Sequence, residues 1–243
     1  MTDYLTVAIE AARQAGQIQR EGMHRPVHIR EATRHDIKLQ TDVDCEQRIR
    51  AILTSAFPQH AILGEEGGGD IQPDIPTWIV DPLDGTVNYA RRIPHFCTSI
   101  ALYLHGEPVV GVVYAPVTDE LYTAEHGSGA FLNGERIHVS DTARLAEATV
   151  AIGFAKSVDT LTSMMNEMAD LVPSVQKVRI FGAAALDMAY VSVGRLDGFI
   201  EYGLRSWDIA AGTLLIREAG GNVQLTPVGT YCWDVRANNN RIW

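Results

Sequence analysis

The chain is short of cysteine, of basic charge and of long apolar runs, and each shortage narrows what it can be. Its three cysteines, Cys45, Cys97 and Cys232, are scattered, odd in number and form no CxxC pair. That sets aside a disulfide framework and predicts reduced, mostly buried thiols in a cytoplasmic protein. Twenty Lys and Arg stand against thirty Asp and Glu, a formal net charge of -10. A nucleic-acid surface needs clustered cations to displace counterions, so none is expected. An anionic substrate stays open, because bound divalent cations invert the field of an acidic pocket. No uninterrupted apolar stretch approaches the roughly 20 residues that span a bilayer. Met1-Thr2-Asp3-Tyr4 has no basic region followed by an apolar run, so neither a membrane span nor a signal peptide is expected. Repeats, low-complexity tracts and linkers are lacking too.

What is present fits an ordinary globular protein: 243 residues, 46% hydrophobic and 21% charged. We expect one domain over 1–243, with lobes of roughly 1–140 and 141–243. Helical spacing of Leu5, Ala8, Ile9, Ala12 and Ala15 predicts a helix over 3–21, and residues 24–41 read as polar and irregular. A second helix is expected over 42–57, capped by Thr41 or Asp42 and followed by Pro58. Ala61-Ile62-Leu63 and Trp78-Ile79-Val80 are short apolar runs that stop at polar turns. Runs over 97–104, 109–114 and 121–124, then 126–139 with the turn Asn133-Gly134, have the rhythm of an antiparallel meander. Beyond 150, strands (150–153, 176–181, 199–202, 222–225) alternate with helices (159–171, 183–193, 208–219). Strand runs followed by alternation predict an α/β or α+β body in layers.

The richest segment is Asp81-Pro82-Leu83-Asp84-Gly85-Thr86. Two carboxylates three residues apart, on a turn braced by Pro82 and Gly85 and anchored on a strand, can converge on one point. A helix starting near Thr86 would aim the N–H groups of Gly85 and Thr86 at the same place, where a phosphate fits. A solvated turn is the other reading, since Asp, Pro and Gly are common turn residues. Gly64-Glu65-Glu66-Gly67 also follows an apolar run, and two such strand ends in one sheet would bring Glu65 beside Asp81 and Asp84. Glu66 reads equally well as an acidic surface group. Asp208, in Trp207-Asp208-Ile209-Ala210-Ala211-Gly212, suits the N-cap of the helix that follows, and one carboxylate can do both jobs. Glu65, Asp81, Asp84 and Asp208 together offer oxygen donors with no His or Cys. That favours Mg²⁺ or Mn²⁺ over zinc. Carboxylates gathered without cationic partners would repel one another, so the set implies bound metal.

With these three motifs in this order, the chain resembles the inositol monophosphatase family, as it also does at Asn88-Tyr89, Ile93-Pro94-His95-Phe96 and Glu218-Ala219-Gly220-Gly221. The resemblance covers nearly the whole chain. It implies alternating helix and sheet layers, Mg²⁺-dependent hydrolysis of a phosphate monoester with two or three ions, inhibition by Li⁺, and a homodimer. Carried over by motif, Glu65, Asp81, Asp84, Asp208 and the backbone carbonyl of Leu83 would hold the metals. Thr86 would orient the attacking water with Glu65. An Asp before the second helix would support that Thr; Asp42 looks like its match, with Glu46 one turn later, and Asp44 competes for the role. The chain departs from the family at Asp36-Ile37-Lys38-Leu39-Gln40-Thr41-Asp42, where Leu39 replaces the usual Thr and Lys38 precedes it. Arg30 and Arg34 are candidates for the family's basic residue in this loop.

The resemblance also implies in-line attack by an activated water, and no Cys, Ser or His sits in a nucleophile motif to suggest a phosphoenzyme. Glu201, in the spacing Glu-x-Gly-x-x-x-Trp-Asp, matches the family's polyol-contacting Glu; an exposed edge-strand charge is its other reading. Asp84, Asp208, Gly85, Thr86 and the backbone at Ala184 complete the expected substrate contacts, and Arg205 could approach a second phosphate. The expected substrate is a small phosphorylated polyol or sugar, with inositol 1-phosphate first. Fructose bisphosphate, histidinol phosphate and adenosine bisphosphate are the alternatives within the superfamily. A regulatory partner role and a plain structural metal site are alternatives outside it. Ligands from three distant segments argue against the last.

Overall fold

The structure, a computed structural model, describes residues 3–32, 37–72, 74–154 and 158–243. It stacks helices and sheets in five alternating layers. The first layer is α1 (Tyr4–Gly22) and α2 (Gln40–Ala56), separated by a small hairpin of β1 (Ile29–Ala32) and β2 (Ile37–Leu39). The polar stretch expected to be irregular thus holds two short strands. Arg34 and Asp36 lie outside the described residues.

The second layer is a seven-stranded sheet in the order β3 (Ala61–Gly64), β4 (Thr77–Asp84), β5 (Cys97–Leu104), β6 (Glu107–Ala115), β7 (Glu120–Glu125), β8 (Gly129–Leu132), β9 (Glu135–Ile137). Only β3 and β4 are parallel; from β4 onward the sheet is the expected meander. Its β8–β9 turn has positive φ at both Asn133 and Gly134, the hand that matches strand twist. Short α3 (Thr86–Ala90) follows β4. Strand alternation assigns the two faces. Trp78, Val80, Ile100 and Leu102 meet α1 and α2, whereas Ile79, Ala101 and Val113 turn to the opposite side.

After β9 come β10 (Thr149–Ile152), α4 (Val158–Leu171), β11 (Lys177–Arg179), α5 (Ala184–Ser192), β12 (Gly198–Arg205), α6 (Ser206–Glu218), β13 (Asn222–Gly229) and β14 (Cys232–Asn238). The second sheet runs β11-β10-β12-β14-β13. Helices α5 and α6 are sandwiched between the sheets. Alanines on one side (Ala185, Ala189, Ala211) let them approach the first sheet, while Met188, Ile209 and Ile216 meet Phe199, Val235 and Ala237 of the second. On the far face, α4 packs Met164 and Leu171 against Val150, Ile152 and Ile200. No helix among the described residues is long and apolar enough to cross a membrane.

Strand β14 was not expected. Asp234 and Arg236 break its apolar run, yet Val235 and Ala237, which alternate with them, face the core, and both polar groups find partners on other elements. Strand β4 also outruns the expected stop at Val80. It continues to Asp84 through a bulge, its pairing with β5 jumping from Asp81 to Asp84. Pro82, with no N–H to give a ladder, falls in that bulge.

Candidate active site

Glu65 follows β3, and Asp81 and Asp84 lie at the end of β4. Because the two strands are parallel, both chain ends emerge at the same edge of the sheet. Glu65 N–H donates to the Val80 carbonyl at 3.2 Å, which locks that edge together. The β4 bulge folds back on itself: Leu83 N–H donates to Asp81 Oδ1 at 3.0 Å. Gly85 then turns the chain at φ 87, a left-handed conformation that favours glycine, and α3 begins at Thr86.

Asp42 and Asp208 arrive by the same device. Each was expected to cap its helix from outside; each instead stands at the third helical position and reaches back. Asp42 Oδ2 accepts the Leu39 N–H at 2.6 Å, and Asp208 Oδ2 accepts the Arg205 N–H at 2.7 Å. One oxygen of each is tied to the helix start. The other oxygen of Asp42 lies 3.2 Å from Thr86 Oγ1, which is also 3.0 Å from the Leu83 carbonyl. Asp44, the competing choice, is exposed and accepts instead from Gln40 Nε2 at 2.8 Å. Asp84 Oδ2 accepts the Ala185 N–H at 2.8 Å, so the first turn of α5 holds this carboxylate.

Glu65, Asp81, Leu83, Asp84, Gly85, Thr86, Ala184, Glu201 and Asp208 all line one cavity of about 310 Å³. Every expected metal and substrate residue is there, and Asp42 stands directly behind Thr86. Glu201 lies on β12, an interior strand between β10 and β14, not on an edge. Arg205 does not line the cavity; it is exposed, with Nη1 3.3 Å from the Thr230 carbonyl. Arg30 is exposed on β1. Glu66 points its charge to Lys38 at 3.4 Å and is not a lining residue.

The sequence reading missed Val87, Gly153, Phe154, Ile180, Gly182 and Leu204, which complete the wall. Gly153 is the most informative: a Cβ there would fall on the Glu201 carboxylate. Its signal was a glycine ending a strand that pairs, in parallel, with the strand bearing Glu201. Val87 and Ile180 are exposed apolar groups at the mouth, a feature without a motif. A larger groove of about 640 Å³ lies between α4 and the second sheet. There Glu167 is engaged by Tyr202 and Arg236, and Asp234 by the Gly203 N–H.

The electrostatics set the 310 Å³ cavity apart. Burial pushes the Asp81 carboxyl well above its ordinary range, and the charges of Glu65, Asp84 and Asp208 push it further. Burial, then the charge of Asp187, raises Asp84 to about 6, although the Ala185 and Leu186 N–H groups oppose this. Burial raises Asp42 to about 7. Among the described residues no three His, Cys, Asp or Glu side chains are gathered tightly enough to grip an ion as they stand. The fit to a cation rests on donor chemistry: oxygen ligands on one cavity whose mutual repulsion a hard divalent ion would relieve. Cys97, 3.6 Å from Asp84 Oδ2, is held protonated by burial and acts as a donor to it.

A sequence model of the inositol monophosphatase family matches residues 1–237. Inositol monophosphatase 2 of Solanum lycopersicum is 44% identical over 242 residues, covering 95% of this chain and 89% of its own length. Nus factor SuhB of Escherichia coli strain K12 is 41% identical over 232 residues, covering 92% and 85%. The crystal structure of extragenic suppressor protein suhB from Bartonella henselae matches with a TM-score of 0.90 at 38% identity, over 97% of this chain and 93% of that one. Inositol monophosphatase from Anabaena (Nostoc) sp. PCC 7120 matches at 0.86 and 38%, over 98% and 91%.

Proposed function

The chain belongs to the inositol monophosphatase family and is a phosphoric monoester hydrolase; we propose that its substrate is a small phosphorylated polyol, inositol 1-phosphate first, and that Mg²⁺ is its cofactor. Glu65, Asp81, Asp84, Asp208 and the Leu83 carbonyl are the groups that would hold the metal, in two or three ions, with Mn²⁺ as a substitute. Bound there, the metal supplies Lewis-acid polarisation of the phosphate and lowers the pKa of the attacking water.

The protein's own residues supply position. Thr86 Oγ1 has its hydroxyl hydrogen directed to Asp42 or to the Leu83 carbonyl, which leaves its lone pairs for a hydrogen of the attacking water. Glu65 takes the same water from the end of the neighbouring parallel strand. The N–H groups of Gly85 and Thr86, at the start of α3, face the phosphate. Glu201, with the backbone at Ala184, takes the hydroxyls of the leaving alcohol, while Val87 and Ile180 at the mouth offer apolar surface to its C–H face. Phosphoryl transfer is governed mainly by positioning and charge neutralisation, and this arrangement addresses both.

The observation that carries this reading is the gathering of the Glu65, Asp81–Asp84 and Asp208 segments on one cavity, where their charges act on Asp81. Phosphate release from myo-inositol 1-phosphate, with and without Mg²⁺, tests it. Fast Mg²⁺-dependent release supports both site and substrate. Slow release, with faster turnover of fructose bisphosphate, histidinol phosphate or an adenosine bisphosphate, would overturn the substrate and keep the site.

A second reading has its own observation, the similarity to Nus factor SuhB. On it, a cytoplasmic, homodimeric protein would also bind the transcription machinery. Retention of such a partner by an Asp84→Asn variant in pull-down would support it, and loss of all capture would count against it. Light scattering tests the dimer.

A further inference from the structure

Helix α2 reaches the site region twice. Asp42 meets the Thr86 turn. One helical turn later Glu46, 2% exposed, meets the turn that carries Glu65. Both of its oxygens are engaged there. Oε2 accepts the Glu66 N–H at 2.8 Å; Oε1 accepts the Gly67 N–H at 2.8 Å and Arg50 Nε at 2.7 Å. Arg50 continues into the same turn, donating Nη2 to the Gly68 carbonyl at 2.6 Å. Gly64 N–H donates to that carbonyl at 3.0 Å, and Glu65 N–H to Val80 at 3.2 Å. Each successive amide from Gly64 to Gly67 therefore has a partner.

The fit excludes side chains. A Cβ at Gly64 would strike the Glu46 carboxylate, and one at Gly67 would stand 2.6 Å from Oε1. Gly67 is not in the left-handed region, so glycine is needed there for room and not for backbone freedom. Burying another carboxylate beside an acidic cavity would be unfavourable unless its charge were balanced, and the Arg50 guanidinium balances it.

We propose that Glu46, charge-balanced by Arg50, is a positioning residue that fixes the Glu65 turn and so sets the affinity of the site for its divalent cation. The inference rests on the reading of Glu65 as a metal-holding group. A ligand on an unbraced turn must be ordered when the ion binds, whereas one on a turn whose amides all have partners, two of them on Glu46, is placed beforehand.

The test is Mg²⁺ binding measured by calorimetry on the full chain without substrate, in wild type, Glu46→Gln, Arg50→Met, Gly67→Ala and Glu65→Gln. Glu46→Gln should raise the Mg²⁺ dissociation constant on the order of tenfold or more, as loss of a group that orients a ligand does. The Mg²⁺ concentration for half-maximal activity should rise in parallel while kcat at saturating Mg²⁺ stays close to wild type. Hydrogen exchange at the Glu66 and Gly67 amides should quicken. Arg50→Met and Gly67→Ala should shift the constant the same way, and they carry the test should Glu46→Gln fail to fold. Lower melting temperatures with an unchanged Mg²⁺ constant would make the clamp purely structural and overturn the proposal. If Glu65→Gln abolishes binding while the other variants bind normally, the proposal alone falls; if Glu65→Gln binds normally, the assignment of Glu65 falls and takes the proposal with it.

Discussion

Replacing Gly153 by alanine is predicted to weaken recognition of the substrate's hydroxyl groups while sparing the chemistry at phosphorus. Gly153 directly follows β10, donates its N–H to the Ile200 carbonyl at 3.1 Å, and has the Glu201 carboxylate where a Cβ would stand. Its φ is not positive, so alanine suits the backbone and the added methyl acts on Glu201 and not on the chain. The carboxylate has to swing off its position over β10. A hydrogen bond to a charged group is worth about 1.5–3 kcal/mol, and each 1.36 kcal/mol is a factor of ten in rate. The value of kcat/KM for myo-inositol 1-phosphate should therefore fall by about tenfold to about a hundredfold. Phenyl phosphate, which offers no hydroxyl, should be affected far less. Glu201→Gln should show the same substrate dependence, and combining the two changes should add little, because both remove one interaction. The assay is initial-rate phosphate release at saturating Mg²⁺ over a range of each substrate. Equal losses on both substrates would refute the reasoning, as would wild-type rates on both.

Asp84→Asn retains an oxygen for the Ala185 N–H, so the protein should fold and melt near wild type while turnover falls by at least about a hundredfold; retained activity would refute the metal assignment. Asp81→Asn should raise the melting temperature of the metal-free protein near pH 8, because burial and three neighbouring charges disfavour its charged form, and should remove the stabilisation by Mg²⁺ that wild type shows. Calorimetry in EDTA and in Mg²⁺ checks both halves, and a destabilised metal-free variant would count against the repulsion. Asp42 has a folded-state value of about 7, above its unfolded value near 4, so its protonated form favours folding. That contribution is whole below about pH 4 and is lost as pH rises through about 7. In metal-free urea titrations, wild type should lose at most about 4 kcal/mol over this range relative to Asp42→Asn; parallel pH profiles would contradict this.

Legibility followed the range of the interaction. The helix over 3–21 and the meander from 97 onward carry their signals locally, in helical spacing or in alternation with turn residues, and both formed. The hairpin β1–β2 and strand β14 did not read as strands. Their pairing partners are nearby, but Asp234 and Arg236 are polar and become explicable only once the Gly203 N–H and Glu167 are seen to receive them. The caps misread by position, Thr41 or Asp42 and Asp208, have a shared cause. An acidic residue suits a helix start from outside or from the third position, and the composition of the first turn does not say which.

The inventory is written along the chain: acidic groups in motifs that hold no His or Cys, a Pro-Gly turn between Asp81 and Thr86, and periodicities that demand layers. Which of these groups meet depends on the fold. The parallel register of β3 and β4 put Glu65 beside Asp81 and Asp84, the sandwiching of α5 and α6 delivered the Ala185 N–H and Asp208, and the register of β10 against β12 laid Glu201 over Gly153. The fold also kept Arg205 out of the cavity although its neighbour Leu204 lines it, and left Asp44 exposed although Asp42, two residues earlier, meets Thr86. The physical reason is that spacing along a chain governs contacts only within one helix turn or one strand pair. Convergence across layers depends on sheet register and on which helix face the core takes, and those are set by the packing of the whole chain.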